Sequence, residues 1–337
     1  MSNRRWVLAR RPQGEPSVND FRLETVPVPE QLAPDEVLCR IRFLSLDPYM
    51  RWRMNDAKSY ARPVGLGEVM VGSTVGEVIR SSVPGIDVGD MVLGPGGWQS
   101  HAVLPAAGLR KLERNDIPLS HALSSLGSPG FTAYAGLMKI GQPKPGETVV
   151  VAAATGAVGA MVGQIARLQG CRTVAIAGGA EKCAYARDVL GFDASLDHRD
   201  PHLAEKLAAA SPQGIDVYFE NVGGKVWDAV LPLLNDFARV PVCGVISQYN
   251  NAGSQDASGS VAALMRDILV KRILIRGFIV TDFADCREEF LSYATPLVRS
   301  GALRVREDIV DGLDRAPEAF IGLLQGRNFG KVIVSVN

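Results

Sequence analysis

The sequence predicts an α/β protein in which a doubly wound parallel sheet accompanies a separate β domain. Short strand-like segments, separated by glycine and proline at intervals of about ten residues, fill residues 1–125. Beyond residue 125, apolar strand-like runs alternate with longer helix-like runs. A glycine-containing turn joins the first of these strands to its helix. At 337 residues, the chain is long enough for two domains of ordinary size.

The N-terminal segments have the length and spacing of strands in an all-β sandwich or barrel. The clearest of them are 35–46, 72–81 and 89–94. Residues 330–337 also have the pattern of a strand, which we expect to rejoin the N-terminal domain. The predicted domains are therefore 1–125, completed by 300–337, and 126–299.

The segment 126–299 repeats a strand followed by a helix. This alternation indicates a parallel sheet covered by helices. Gly170 and Gly191 fall where two helices should end, because glycine readily adopts the left-handed conformation of a C-terminal cap. The successive pairs are 147–154 with 157–170, 173–178 with 180–191, and 215–223 with 225–234, followed by a strand at 238–245.

The composition is that of a globular protein, with 47% hydrophobic and 21% charged residues. Lysine plus arginine and aspartate plus glutamate both number 36, so no overall field attracts nucleic acid or an anionic membrane. No apolar run approaches the ~20 residues of a membrane helix. The N-terminus lacks the apolar core of a signal peptide. We therefore expect a cytoplasmic protein with neither a nucleic-acid nor a membrane partner.

The turn after the strand 147–154 reads Ala154-x-Gly156-x-x-Gly159, a dinucleotide fingerprint with alanine in its first position. Gly156 lets the backbone approach a pyrophosphate, and Gly159 lets the helix pack closely on the strand. The N–H groups and the positive dipole end of the helix then face the phosphates. The alternative interpretation is a glycine-rich turn in a sheet that binds no nucleotide.

The tip of the second strand favours NADPH over NADH. An NAD site usually carries an acidic residue there for the ribose hydroxyls. This chain has Gly178 and Gly179 instead, with Lys182 just beyond, which suits a 2′-phosphate. The alternative is that Lys182 lies on a solvated helix face, as Arg187 further along that helix is expected to do.

Six segments together resemble one protein family over nearly the whole chain. They are AATGAVGAMVGQIARLQGC, AGGAEK, YFENVGG, CGVISQYN, FGKVIV and, near the N-terminus, LSLDPYMRWRM. They resemble the zinc-independent medium-chain dehydrogenase/reductases, in the subgroup of prostaglandin reductases, plant alkenal double-bond reductases and bacterial NADPH-dependent curcumin reductases, and most of all the last. The resemblance implies a GroES-like β-barrel domain for the substrate and a Rossmann domain for NADPH. It also implies reduction of a carbon–carbon double bond conjugated to a carbonyl.

The resemblance further implies which residues contact the cofactor. Those at the pyrophosphate are Gly156, Ala157, Val158 and Gly159, and those at the 2′-phosphate are Lys182 and His198. The others are Asn221, the segment Cys243, Gly244, Val245, Ile246, Ser247 and Tyr249, the nicotinamide neighbours Phe278, Ile279 and Val280, and Asn328 from the C-terminal segment. Prostaglandin reductases carry tyrosine at the position of His198, which can alternatively be a surface loop residue.

No set of residues has the pattern of a catalytic zinc site, which needs cysteine and histidine ligands around an open position. LSLDPYMR stands where the zinc enzymes carry their first cysteine ligand, and GSTVGEV stands where they have Gly-His-Glu. None of the four histidines pairs with a cysteine at ligand spacing: His101, His121, His198 and His202. We therefore expect no metal, and we expect the five scattered cysteines to be reduced thiols.

Without a metal, the negative charge that develops on the substrate carbonyl oxygen needs a hydrogen-bond donor. Tyr249 is the candidate because it follows the strand 238–245, at the carboxyl end where doubly wound sheets bind ligands. The resemblance also implies a mechanistic tyrosine there. Its phenol can stabilise the enolate or deliver a proton, and the resemblance implies that a cofactor ribose hydroxyl can share the donor role. The alternative is a tyrosine that packs over the nicotinamide or shapes the pocket.

Tyr49 and Met50 are expected to line the substrate pocket, with core packing of the β domain as the alternative. Arg51 and Arg53 are interpreted as solvated rather than as contacts for an acidic substrate. Residues 250–260, rich in Gly, Ser, Asn and Asp, form either a lid or a plain linker.

Residues 271–280, KRILIRGFIV, have the composition of a strong strand. The resemblance implies that this strand pairs across a dimer axis, so we expect a homodimer. The alternative is an internal strand that the protein's own loops cover.

Three functions stay open at this point. The first is an NADPH-dependent enone or alkenal reductase, and the second is a quinone oxidoreductase of the same fold. The third is a dinucleotide-binding protein without catalysis, since binding alone needs the same glycine turn.

Replacement of Lys182 tests the cofactor assignment. We predict that Lys182→Ala lowers the preference for NADPH over NADH by about tenfold, because it removes a charge-assisted contact with the 2′-phosphate. The ratio of the two dissociation constants measures this preference. An unchanged ratio contradicts the role assigned to Lys182.

Overall fold

The computed structural model describes residues 1–113, 116–250 and 258–336. The chain folds into two compact units, Met1–Leu123 with Glu307–Asn337 and Ser124–Arg306. It therefore leaves the first unit once and later returns to it. Both junctions lie near the boundaries predicted after residues 125 and 299.

The first unit begins with a series of strands and one short helix. These elements are β1 (Ser2–Leu8), β2 (Phe21–Pro27), β3 (Glu36–Ser45), α1 (Met50–Arg53), β4 (Thr74–Ser81), β5 (Met91–Gly94), β6 (His101–Pro105) and β7 (Arg110–Leu112).

The second unit alternates helices with strands. Its elements are α2 (Ser128–Tyr134), β8 (Thr148–Ala152), α3 (Ala157–Leu168), β9 (Arg172–Ala177), α4 (Ala180–Asp188), β10 (Ala194–Asp197), α5 (Leu203–Ala210), β11 (Ile215–Phe219), α6 (Lys225–Val230), β12 (Leu234–Val242), α7 (Ser258–Lys271), β13 (Leu274–Gly277) and α8 (Arg287–Arg299).

The chain then completes the first unit with β14 (Glu307–Asp311), α9 (Ala316–Leu324) and β15 (Lys331–Ser335). The strands of this unit form a largely antiparallel sheet in the order β14-β15-β3-β4-β5-β7, and β6 pairs with β3. The C-terminal strand β15 pairs with β3, so it lies in the same sheet as strands β3 to β7 of the N-terminal segment. A separate antiparallel hairpin joins β1 to β2.

A buried ion pair ties the C-terminal strand to the segment before Tyr49. Lys331 is 2% exposed. Its ammonium donates to the Leu46 carbonyl at 2.7 Å and pairs with Asp47. The other carboxylate oxygen of Asp47 accepts a hydrogen bond from the Ser45 hydroxyl at 2.5 Å. Because a buried charge must be paired, this contact fixes the start of the segment that carries Tyr49 and Met50.

The second unit contains a parallel sheet in the order β10-β9-β8-β11-β12-β13 among the described residues. This order, in which the first strand lies at the centre and the chain winds outward in both directions, is that of a Rossmann fold. Every residue of β8 is buried, as the run Thr148-Val-Val-Val-Ala152 requires of a central strand covered on both faces. The predicted fold class is confirmed.

Helix α3 packs closely against the loop that follows α4. A Cβ at Gly163 would lie only 1.8 Å from Cζ of Phe192, whose ring is itself buried. The close approach of helix and ring therefore requires glycine at this position of the helix that carries the dinucleotide turn.

The strand predicted over 271–280 is shorter than expected. Helix α7 extends to Lys271, and β13 covers only Leu274–Gly277. Arg272 has a φ of 53°, a left-handed conformation that ends the helix just before the strand. The apolar run thus divides into a helix end and an edge strand, and periodicity alone does not separate the two.

Substitution of Gly163 tests this packing. We predict that Gly163→Ala destabilises the protein by about 1–3 kcal/mol, because overpacking against Phe192 outweighs the better helix propensity of alanine. Adding Phe192→Leu should restore part of the loss. Urea unfolding followed by circular dichroism measures both effects.

Gly322 provides a matched control, since it also lies in a helix, α9. A Cβ there would lie 3.6 Å from Arg327, an ordinary contact distance. Gly322→Ala should therefore leave stability unchanged or slightly raised. An equal loss of stability in Gly163→Ala and Gly322→Ala contradicts the packing argument.

Candidate cofactor and active site

The predicted site residues of the second unit follow the carboxyl ends of its parallel strands. The glycine turn follows β8, Lys182 follows β9, Asn221 follows β11, and the segment 243–249 follows β12. Parallel strands end at one edge of their sheet, and doubly wound sheets bind ligands there. The topology therefore gathers these segments at a single edge.

The turn after β8 is shaped by a close backbone contact. A Cβ at Gly159 would lie 2.4 Å from the carbonyl oxygen of Ala153 and 2.8 Å from Cα of Ala154, so only glycine fits. Ala153 has a φ of 50°, and its carbonyl accepts a hydrogen bond from the Gly156 N–H at 2.9 Å. Helix α3 begins at Ala157, and the N–H groups of its first turn have no acceptors within the helix. This arrangement fits a pyrophosphate.

The turn after β9 lacks an acidic side chain and lies beside basic ones. Asp197, the last residue of β10, pairs with Ala177 in parallel register, so His198 lies beside Gly178. A Cβ at Gly178 would lie 2.9 Å from Nε2 of His198. Lys182 is half-buried in the first turn of α4. These residues fit the 2′-phosphate of NADPH better than the free ribose hydroxyls of NADH.

Burial and the charged groups around this turn shift the pKa of His198. Partial burial lowers its pKa, and the positive charges of Arg199 and Lys182 lower it further, whereas Asp197 opposes them. Arg199 was not among the residues that the sequence singled out. It was missed because β10 has only four residues and no apolar run to mark it as a strand.

The turn after β11 is organised by Glu220, which is 3% exposed. One carboxylate oxygen accepts hydrogen bonds from the N–H groups of Val222 at 2.6 Å and Gly223 at 2.9 Å. The Tyr218 hydroxyl donates to the same oxygen at 3.0 Å. Burial raises the pKa of Glu220, although these donors oppose the shift. In the sequence, the signal for this role is an acidic residue at the end of an apolar strand, which the sequence analysis did not single out.

Asn221 links two strand ends. Its side-chain amide donates to the Ala152 carbonyl at 2.7 Å, which joins the turn after β11 to the end of β8. This contact holds the two turns together, and the predicted contact of Asn221 with the cofactor stays a prediction.

The segment after β12 is bound to the turn after β11. The N–H of Cys243 donates to the Glu220 carbonyl at 2.9 Å, and the N–H of Ile246 donates to the Asn221 carbonyl at 3.2 Å. The Ser247 hydroxyl donates to the Val222 carbonyl at 2.6 Å. The two turns therefore form one hydrogen-bonded layer at the edge of the sheet.

Tyr249 ends this layer. A Cβ at Gly244 would lie 2.8 Å from the Tyr249 hydroxyl oxygen, so the phenol lies directly over the backbone of Gly244. The residue is 8% exposed. Burial, together with the nearby Glu220, raises the pKa of the Cys243 thiol to about 12. Cys243 is therefore a neutral thiol at physiological pH, and the Ser247 hydroxyl of the same segment donates to the Val222 carbonyl.

The residues after β13 pack inward. Phe278 is 7% exposed and lies edge-on to Phe219 and Phe283, with ring centroids 6.4 and 6.0 Å apart respectively. Ile279 is half-buried, and its N–H donates to Asp282 at 3.1 Å. Val280 begins a short 3-10 helix. Their predicted position beside the nicotinamide stays a prediction.

In the first unit, Tyr49 is half-buried and Met50 is fully buried in the core of the β domain. Burial and the charge of Asp47 raise the pKa of the Tyr49 phenol. Asn328 donates to the Gly330 carbonyl at 2.7 Å. The predicted contacts of these three residues with substrate or cofactor stay predictions.

The interpretation of Arg51 as a solvated arginine is wrong. Its side chain is 1% exposed and donates to Asn55 Oδ1 at 2.6 Å and to the Gly14 carbonyl at 2.7 Å. The single turn of α1 directs it into the unit, where it holds a loop. Arg53, two residues further on, is half-buried.

Two further findings concern metals and membranes. Within 1–113, 116–250 and 258–336, no three His, Cys, Asp or Glu side chains group closely enough to hold a metal ion. In the same ranges, no helix has both the length and the apolar character needed to cross a membrane. Of the predicted lid or linker at 250–260, residues 251–257 lie outside the described residues.

A Rossmann sheet with a dinucleotide turn, joined to a β domain, defines a nucleotide-dependent oxidoreductase. Comparison with protein-family models agrees: residues 4–112 match the N-terminal domain of oxidoreductase, and residues 157–295 match a family described as zinc-binding dehydrogenase. The chain belongs to the medium-chain dehydrogenase/reductases, in the group that contains the curcumin, 2-alkenal and prostaglandin reductases.

The similarity to individual members extends over the full length. The chain is 53% identical to the NADPH-dependent curcumin reductase of Escherichia coli (strain K12), over 99% of this chain and 97% of that protein. It is 38% identical to the NADP(+)-dependent 2-alkenal reductase of Nicotiana tabacum, over 100% and 98%. The crystal structure of CurA from Vibrio vulnificus in complex with NADPH superimposes with a TM-score of 0.95 at 51% identity, covering 99% of each chain.

Proposed function

We propose that the protein uses NADPH to reduce the carbon–carbon double bond of α,β-unsaturated ketones and aldehydes. The observation that carries this proposal is the full-length identity to an NADPH-dependent curcumin reductase. The 2-alkenal reductase, whose named substrate is also a conjugated carbonyl compound, extends the support to aldehydes. In this proposal, the hydrogen-bonded layer formed by the turns after β11 and β12 supplies residues for such a reaction.

The chain binds the cofactor, in this proposal, through its strand-end turns. The first turn of α3, from Gly156 to Gly159, holds the pyrophosphate. Lys182 and His198 contact the 2′-phosphate, and the segment 243–249 borders the rest of the dinucleotide with Asn221, Phe278, Ile279, Val280 and Asn328. Bound NADPH supplies a hydride to the β-carbon of the substrate.

Tyr249 acts on the substrate carbonyl. As negative charge develops on that oxygen, the phenol donates a hydrogen bond to it and can then deliver a proton. The tyrosine suits this role because its hydroxyl is held over Gly244 in a largely buried position, where an aligned donor is stronger than in water. Tyr49 and Met50 are proposed to contribute to the substrate pocket.

The reaction is proposed to be independent of a metal. The surroundings of three of the four histidines support this proposal. His101 Nδ1 lies 3.0 Å from the Ser100 hydroxyl, and His202 lies 3.4 Å from Glu205. His198 lies beside Gly178, in the turn after β9. We also propose a cytoplasmic location, which agrees with cysteines that are all free.

A homodimer is proposed to form through the edge of the parallel sheet. Strand β13 is an edge strand, and its Leu274 is 48% exposed. Along α7, Val261, Met265 and Leu269 recur every fourth residue and are 50%, 59% and 77% exposed. An exposed apolar helix face and an edge strand are both typical of an interface, and a second copy would cover them in this proposal.

The activity is tested with NADPH and a panel of enones, alkenals and quinones, by NADPH absorbance and product mass. We predict products two hydrogens heavier from the enones and alkenals, and a kcat about 100-fold lower in Tyr249→Phe because one preorganised donor is lost. The dissociation constant of NADPH should change far less, because phenylalanine keeps the ring that is proposed to border the dinucleotide. Tyr293→Phe is the matched control, since Tyr293 lies on α8 with its ring centroid 5.3 Å from that of Tyr134.

Near-normal kcat in Tyr249→Phe contradicts the donor role and leaves only a packing role. Oxidation of NADPH by quinones alone contradicts double-bond reduction. No oxidation with any acceptor contradicts an enzymatic function.

The dimer is tested by light scattering after size-exclusion chromatography. We predict a wild-type mass of two chains and a shift towards one chain in Leu269→Glu, which places a charge in the apolar interface. Leu168→Glu is the control, since Leu168 is 42% exposed at the end of α3. A wild-type mass of one chain contradicts the dimer.

A further inference from the structure

Besides His198, the short strand β10 brings a second basic residue, Arg199, to the turn after β9. Asp197 pairs with Ala177 in parallel register, so the residues after β10 run beside those after β9. Arg199 therefore lies beside Gly178 and Gly179, the two glycines that stand in place of an acidic residue.

The guanidinium of Arg199 covers both glycines. A Cβ at Gly178 would lie 3.5 Å from Nη2 of Arg199, and a Cβ at Gly179 would lie 3.5 Å from Nη1. Both terminal nitrogens thus face the backbone at the strand tip, while the residue as a whole is exposed. A planar fork of two N–H donors at the surface matches the geometry of a phosphate.

Asp197 fixes the backbone that carries this arginine. Its carboxylate accepts a hydrogen bond from the Arg199 N–H at 3.0 Å. Although burial opposes the shift, hydrogen bonds from the N–H groups of Arg199 and Gly179 hold the pKa of Asp197 below its usual range. The carboxylate is therefore ionised, and it ties the loop after β10 to the turn after β9.

We propose that Arg199 is a bidentate ligand of the 2′-phosphate of NADPH and a principal determinant of the preference for NADPH over NADH. This inference rests on the proposed function only in taking NADPH as the cofactor. Arg199 differs from its two neighbours in kind. Lys182 presents a single ammonium, and His198 is charged only when protonated, whereas the guanidinium keeps its charge and its fork at every physiological pH.

The pH dependence of the preference for NADPH separates the contribution of Arg199 from that of His198. The groups that face His198 are Asp197, Arg199 and Lys182, and the net effect with burial is a lowered pKa. His198 is therefore mostly neutral above pH 7, where it adds little to phosphate binding. A bound phosphate favours its protonated form, so the part of the preference that depends on His198 falls as pH rises. The part that depends on Arg199 does not.

The experiment measures dissociation constants of the full-length protein by isothermal titration calorimetry. The ligands are NADPH and NADH, and the fragments adenosine 2′,5′-bisphosphate and AMP. The variants are Arg199→Ala, Arg199→Lys and the control Arg187→Ala. Arg187 lies on α4, pairs with Asp188 at 2.8 Å, and loses the same charge when replaced.

We expect Arg199→Ala to weaken NADPH and the bisphosphate by about tenfold, the range of one charge-assisted contact at an exposed site. NADH and AMP should bind within about twofold of wild type, which also shows that the variant is folded. Arg199→Lys should recover part of the loss, and Arg187→Ala should show none. Between pH 6.5 and 8.5, the preference should decline more steeply in Arg199→Ala than in wild type, because removal of the Arg199 charge raises the pKa of His198 and brings more of its titration into this range.

Equal weakening of the ligands with and without the 2′-phosphate overturns the inference, as does a loss no larger than that of Arg187→Ala. The fragments separate this result from the proposed function. If the bisphosphate result is as expected but wild type reduces no enone or alkenal, the proposed reaction fails and the role of Arg199 stands. If wild type binds the bisphosphate no more tightly than AMP, the role of Arg199 and the choice of NADPH both fail.

Discussion

The close approach of helix α3 to the end of strand β8 is the constraint on which the rest of the site depends. At Gly159 a single Cβ would lie 2.4 Å from the Ala153 carbonyl oxygen, so any other residue would push the helix away from the strand. The approach brings the first turn of the helix, with its unpaired N–H groups, to the edge of the sheet. Gly163 continues the tight packing one turn further along the same helix. The position of the proposed phosphate site therefore depends on two glycines, at which a side chain would not fit.

The neighbouring strand ends are held to this turn by hydrogen bonds. Asn221 bonds to the carbonyl at the end of β8, and buried Glu220 closes the turn after β11. Ser247 joins that turn to the segment of Tyr249. The buried Glu220 carboxylate alone has three hydrogen-bond donors, so these contacts reinforce one another above the apolar core of the sheet. Such a network suits a reaction in which a donor must be aligned with a charge that develops only in the transition state.

The sequence predicted the features that depend on local pattern. The glycine turn, the alternation of strand and helix, and the position of Tyr249 after β12 all follow from spacing along the chain. Features that depend on register or tertiary contact were missed or wrong. Arg199 reaches the cofactor turn only through the register of β10, a four-residue strand with no apolar run. Arg51 is charged, yet its backbone and side-chain acceptors, which lie up to 37 residues away along the chain, allow full burial.

The central claim is that hydride passes from NADPH, bound at the strand ends, directly to the β-carbon of a conjugated carbonyl compound. The most direct measurement uses NADPH deuterated at the transferable position, an enone substrate, and NMR and mass analysis of the product. The account predicts one deuterium at the β-carbon, with the new hydrogen at the α-carbon drawn from solvent. Deuterium at the carbonyl carbon, which indicates reduction to an alcohol, or a product without deuterium would contradict it.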